Sequence, residues 1–159
     1  MEKIVLGSTG IHATRSGFGA LPVQRLSKEE AARLLRRAYD SGINFFDTAN
    51  AYTNSEEKIG MALADVRRNL FIATKTGSST PDEFWKHLEL SLTRMKTDYI
   101  DIYQFHNPAK MPSDEMMSCM IKAKAQGMIR HIGVTAHRLD TALTEIESGA
   151  FETMQFPLS

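Results

Sequence analysis

Four residues of this chain could together deliver a proton to a carbonyl oxygen: Asp47, Tyr52, Lys75 and His106. A tyrosine with a pKa of about 10 is a poor proton donor at neutral pH. A lysine ammonium close by stabilises the tyrosinate and lowers that pKa. An aspartate paired with the lysine keeps it charged and in position. A histidine nearby can hydrogen-bond the carbonyl oxygen. Proton donor, tuner, anchor and orienter suit the reduction of a carbonyl with hydride from a nicotinamide. Taken singly, each residue has a plainer reading. Asp47 before Thr48 can start a turn, Tyr52 can be a loop aromatic, and His106 before Asn107-Pro108 can end a strand. Lys75 lies on a strand expected to be buried on both faces, where an unpaired lysine is costly. The set is more telling than its members, because all four fall at one rim of the expected fold.

The elements that position them read as follows. Lys3 to Leu6 and Ile11 to Arg15 flank Gly7-Ser8-Thr9-Gly10 and predict a β-hairpin. A short strand follows at Ser16 to Ala20. Ser27 and Glu30 form a capping box ahead of Ala31, Leu34, Leu35 and Ala38 at helical spacing, and Gly42 stops that helix. Ile43 to Asp47 is a strand. Asn54 and Glu57 suit a helix start, running to about Asp65. Leu70 to Lys75 is a strand. Thr80-Pro81-Asp82-Glu83 opens a helix whose buried stripe is Phe84, Leu88, Leu92 and Met95. Tyr99 to His106 is a strand, Ser113 to Gly127 brackets a helix, and Ile129 to Val134 is a strand. Leu139 to Glu147 then reads as a helix and Thr153 to Phe156 as a last strand.

Strands alternating with helices mean βα units and a parallel sheet. Two features favour a (β/α)8 TIM-type barrel over a doubly wound layer. Gly17-x-Gly19 does not continue into the dinucleotide-binding fingerprint. Asp47, Lys75 and His106 fall at the C-terminal ends of successive strands, the face where barrel enzymes build their sites. From Phe18 the pattern gives six core strands and five helices, whereas a whole barrel takes eight of each in about 250 residues. Residues 1–159 therefore read as a single, incomplete barrel domain. An unclosed sheet exposes strand edges, so a homo-oligomer through the open sheet is expected.

Composition narrows the partners. Nineteen Lys and Arg balance nineteen Asp and Glu, which argues against a nucleic-acid or membrane-surface partner. One cysteine, Cys119, excludes an internal disulfide. With no signal-like leader and no apolar run near the length of a membrane span, a cytoplasmic location is expected. His131 and His137 lie about 20 Å apart if extended, too far to share a metal, and no metal site is expected. Met111, Met116, Met117 and Met120 read as gap-filling under a helix. Arg33, Arg36, Arg37, Arg67 and Arg68 read as solvated helix faces.

The run from Asn44 through Asp47 to Tyr52, followed by Ser55-Glu56-Glu57-Lys58-Ile59-Gly60, strongly resembles the signature of the aldo/keto reductases. Ile72-Ala73-Thr74-Lys75 resembles the family's lysine strand, and Asp98 to His106 its histidine strand. Gly127 to Thr135 resembles the segment after the fourth helix. The wording is closest to bacterial members with a C-terminal iron–sulfur segment. The resemblance implies an NAD(P)H-dependent reductase of aldehydes and ketones, with NADP(H) as the family's cofactor. By carry-over, Tyr52 is the general acid, Lys75 tunes it, Asp47 pairs with Lys75, and His106 orients the carbonyl. Thr135 and Gln155 stand where the family contacts the nicotinamide carboxamide, and Gly19, Ala20 and Asp47 where it approaches the cofactor. The sequence departs from the family at Thr135-Ala136, where Ser-Asn or Thr-Asn is usual, so one amide partner is missing. The family's last strands, with their cofactor-stacking aromatic and 2′-phosphate site, have no counterpart in these residues. An alternative expectation follows: a truncated, catalytically inactive barrel fragment acting as a binding or structural protein.

Overall fold

Strand side chains alternate between two faces, and in this chain the two faces bury different cores. A computed structural model describes residues 1–157. A hairpin of β1 (Lys3–Val5) and β2 (His12–Thr14) precedes β3 (Phe18–Gly19). Five βα turns follow: α1 (Lys28–Asp40), β4 (Phe45–Asp47), α2 (Ser55–Leu63), β5 (Phe71–Thr76), α3 (Pro81–Met95), β6 (Ile100–His106), α4 (Asp114–Ala125), β7 (Ile129–Thr135), α5 (Leu139–Glu147) and β8 (Thr153–Gln155). Strands β3 to β8 pair in chain order, all parallel, as a six-stranded curled half-barrel.

The outer face packs on the helices. Phe46, Ile72, Tyr103, Phe105 and Val134 meet Leu35, Ile59, Leu63, Phe84, Leu88, Met120 and Ala123 in one buried cluster. The inner face carries a smaller cluster, in which Ala73 and Ile102 pack against Ile11 and Ala13 of the hairpin. Asn44 fixes the hairpin there. Its Oδ1 accepts from Thr14 N at 2.7 Å, and its Nδ2 donates to the His12 carbonyl. The hairpin thus plugs the inner face below the strand ends.

Local chemistry explains the helix boundaries. Ser27 and Glu30 form the reciprocal capping box at α1, and Gly42 takes φ +96° just past its end. Thr80 Oγ1 caps α3 by accepting from Glu83 N, while the Glu83 carboxylate accepts from Ser79 N rather than from Thr80. Asn54 precedes α2 as expected but makes no side-chain cap. Gly60 is needed where α2 crosses α3, since a Cβ there would lie 2.2 Å from the Arg94 carbonyl oxygen.

Arg67 corrects the reading of a solvated face. After α2 the chain tightens into a 3-10 turn, Ala64–Asn69, which carries Arg67 inward. Its guanidinium pairs with Asp101 at 2.7 Å and donates to Leu70 O, Tyr99 O and Thr97 Oγ1. Arg67 and Arg130 also stack on the Tyr99 ring, at 4.1 and 3.9 Å from its centroid.

Glu145 on α5 is fully buried, and neither carboxylate oxygen has a hydrogen-bond partner. Burial raises its carboxyl to about 7. A carboxyl raised on folding stabilises the fold below its unfolded pKa near 4.5, and that contribution is lost as pH rises through about 7. Wild type is therefore expected to lose about 2–3 kcal/mol relative to Glu145→Gln between pH 4.5 and pH 8. Urea unfolding of both proteins across that interval checks this; parallel stability curves would contradict it.

Candidate active site

The sheet register brings the four chemically suggestive residues to one rim. Gly19 lies beside Asp47, Asp47 beside Ala73, Lys75 beside Gln104, and His106 beside Thr135, which in turn faces Gln155. Alternation then points Asp47, Lys75 and His106 to the inner face, above the hairpin plug. Tyr52 comes from the β4–α2 loop, which is tied down along its length. Thr48 N donates to Ala73 O, Asn50 N to Lys75 O, and Ser55 N to Tyr52 O. The Thr48 hydroxyl donates to Ser55 Oγ, which donates to Ala20 O. Buried Lys58 fixes the neighbouring 3-10 turn, Pro22–Arg25, by donating to three carbonyls, those of Val23, Gln24 and Leu26.

Within this frame Lys75 Nζ meets Asp47 Oδ1 at 2.6 Å and also donates to the Thr48 carbonyl. The ammonium lies 5.3 Å from the Tyr52 ring centroid. The Tyr52 and His106 rings meet edge to face, 5.6 Å apart. Burial dominates the electrostatics of the ion pair: it raises the Asp47 carboxyl and lowers the Lys75 ammonium, each opposed by the partner's charge. Burial, aided by Lys75 and His137, lowers His106, so its imidazole is neutral at neutral pH. Tyr52 differs from the expectation. Burial and the negative charge of Asp47 raise its phenol above the ordinary value. The Lys75 ammonium, for its part, bonds Asp47 and the Thr48 carbonyl.

Tyr52, Lys75, His106, Thr135, His137 and Gln155 line a single cavity of about 210 Å³. Thr135 and Gln155 are cross-strand neighbours on its wall. A hydroxyl beside a primary amide suits the carboxamide end of a nicotinamide, and the Thr135 hydroxyl already accepts from Asn107 N at 2.8 Å. Gly19 borders an adjoining space of about 320 Å³ with Asp47 and Gln155. Ala20 is occupied otherwise. Its N–H donates to Asp47 O, its carbonyl accepts from Ser55, and its side chain lies in the outer core. His137 is a rim residue that the sequence reading weighed only as a metal ligand. Its backbone N–H donates to Asn107 Oδ1, and it lines the same cavity as Tyr52. Its position two residues past Thr135, just beyond a strand end, was the available signal.

Residues 3–148 match the model of the aldo/keto reductase family. The chain belongs to that family. An uncharacterized oxidoreductase of Bacillus subtilis, YqkF, is 33% identical over 153 residues, covering 87% of this chain and 50% of that protein. The holo aldo-keto reductase AKR11C1 of Bacillus halodurans superposes with a TM-score of 0.90 at 27% identity, over 100% of this chain and 58% of that one. An aldo/keto reductase of Klebsiella pneumoniae, solved in complex with NADP and acetate, gives 0.80 at 25% identity, covering 89% of this chain and 52% of that one. The chain spans about half the length of the curated aldo/keto reductases and oxidoreductases it matches.

Proposed function

We propose that this chain carries the proton-donating part of an NADP(H)-dependent reductase of aldehydes and ketones. The observation that carries the reading is the single cavity shared by Tyr52, Lys75 and His106, with Lys75 held by Asp47. Thr135 and Gln155 would hold the carboxamide of the nicotinamide, which when bound supplies hydride to the carbonyl carbon. His106, neutral, donates a hydrogen bond that orients and polarises the carbonyl oxygen. Tyr52 holds its proton at rest and gives it to that oxygen as the carbonyl carbon takes up the hydride and the C=O π bond opens towards oxygen, so the product is an alcohol. Lys75 compensates the phenolate charge left behind, and solvent returns the proton. Asp47 keeps the ammonium in place beside the phenol. The resting protonation of Tyr52 suits a donor, and the reaction needs Lys75 only when the phenolate forms.

The test is a fluorescence titration of the 159-residue chain with NADPH, followed by turnover assays on simple aldehydes and ketones. Saturable binding and carbonyl-dependent NADPH consumption are expected. Thr135→Val is expected to weaken binding by about tenfold through loss of one buried hydrogen bond. A folded chain that neither binds nor consumes NADPH would overturn the proposal.

A further inference from the structure

Behind the sheet, on the side away from the cavity, lies a buried ion pair that the mechanism above does not use. Glu56, in the first turn of α2, is 1% exposed. Its Oε1 accepts from the Thr74 hydroxyl at 2.7 Å, and Thr74 immediately precedes Lys75 on β5. Its Oε2 accepts from Arg94 Nη1 of α3 at 3.2 Å. The same Arg94 nitrogen donates to the Asn50 carbonyl at 3.2 Å, within the loop that carries Tyr52. One carboxylate therefore joins the lysine strand, the tyrosine loop and two helices. The bare backbone of Gly60 lets α3 come close enough for this junction.

A leucine at this position could fill the space without the cost of burying a charge. What only the carboxylate adds is a second negative charge near Lys75. Tyr52 from the loop, His106 from β6 and, past β7, His137 line the cavity with Lys75, Asp47 pairs with it from β4, and Glu56 from α2 lies behind it across the sheet. Of these, Asp47 and Glu56 are the acids, and Glu56 opposes the burial that disfavours the ammonium.

We infer that Glu56 belongs to the proton-donating constellation as a positioning residue, acting from behind the sheet on the charge of Lys75 and on the loop that carries Tyr52. The inference rests on reading Tyr52 and Lys75 as a proton-donating pair. Its two anchors give it opposite signatures in two variants. Glu56→Gln removes the negative charge and leaves Arg94; Arg94→Gln removes the positive charge and leaves Glu56.

The experiment is NMR titration of the full 159-residue chain labelled at the lysine Cε carbons, with Lys75 assigned through Lys75→Arg. Glu56→Gln is expected to make Lys75 lose its proton about tenfold more readily. Arg94→Gln is expected to make it lose the proton less readily. Loosening of the loop alone would move Lys75 the same way in both variants, since Glu56→Gln weakens the hold on Arg94 and Arg94→Gln removes its bond to Asn50. An unmoved Lys75 in Glu56→Gln, or shifts of the same sign, overturns the inference. Arg94 is partly exposed, so its variant decides the sign even if Glu56→Gln does not fold: easier deprotonation there overturns the inference. Opposite shifts without carbonyl turnover would remove the reductase reading and leave the coupling standing. Turnover with an unmoved Lys75 would do the reverse.

Discussion

Replacing Arg67 by methionine is expected to cost the fold about 3–5 kcal/mol, a large share of what holds a domain of this size together. The side chain fits the space, but the charge does not leave cleanly. Asp101 is 1% exposed and keeps the Ile72 N–H at 3.0 Å, with Arg130 at 3.6 Å as its remaining cation. The Leu70 and Tyr99 carbonyls lose their guanidinium donors at the same time. Arg67→Lys is expected to lie between, since an ammonium can meet Asp101 but cannot reach four acceptors with a planar fork. Urea midpoints of the three proteins check the order. A loss under about 1 kcal/mol for methionine would mean that the pair is solvated and of surface strength.

Arg67 also marks where the sequence stopped being legible. The turn chemistry of Ser27, Gly42, Thr80 and Ser113 acts between near neighbours, and the helices it predicts are present. The same holds for the alternation that places Asp47, Lys75 and His106 on one face, because a strand's period is fixed by its backbone. The apolar stripe of α3 is likewise present, though Leu92 is only half-buried beside Phe84, Leu88 and Met95. What failed were residues whose role depends on a partner far along the chain. Arg67 next to Arg68 looks like a charged surface until Asp101, 34 residues later, is brought beneath it. Glu56 stands in the sequence only as one member of the Ser55 to Gly60 run, and the fold gives it Thr74 and Arg94 as partners. Lys75 was expected to acidify Tyr52 because both sit at one rim. Burial of the phenol and then the charge of Asp47 push the other way, and spacing along the chain carries neither.

Tyr52→Phe is expected to lower carbonyl turnover by about 10²–10⁴-fold, the range for loss of a positioned proton donor. The substitution keeps the ring, and the ring makes the local contacts: its edge-to-face packing with His106 and the Lys75 ammonium near its face. Folding and NADPH affinity are therefore expected to match wild type, which separates this variant from one that damages the site. The pH dependence sharpens the assignment. Tyr52 titrates above the ordinary phenol value, so a wild-type rate that depends on its proton falls only in strongly alkaline solution. His106 titrates below the ordinary imidazole value, so its neutral form persists into mildly acidic solution and the rate holds there too. Turnover of wild type from about pH 5 into the alkaline range above about pH 10, about flat until its alkaline limb, with a residual Tyr52→Phe rate that lacks that limb, would identify the phenol as the donor. A Tyr52→Phe protein that turns over as fast as wild type would move the role to another group facing the same cavity. His106 would be excluded next by His106→Gln, because its low basicity makes it a hydrogen-bond donor rather than a source of protons at neutral pH.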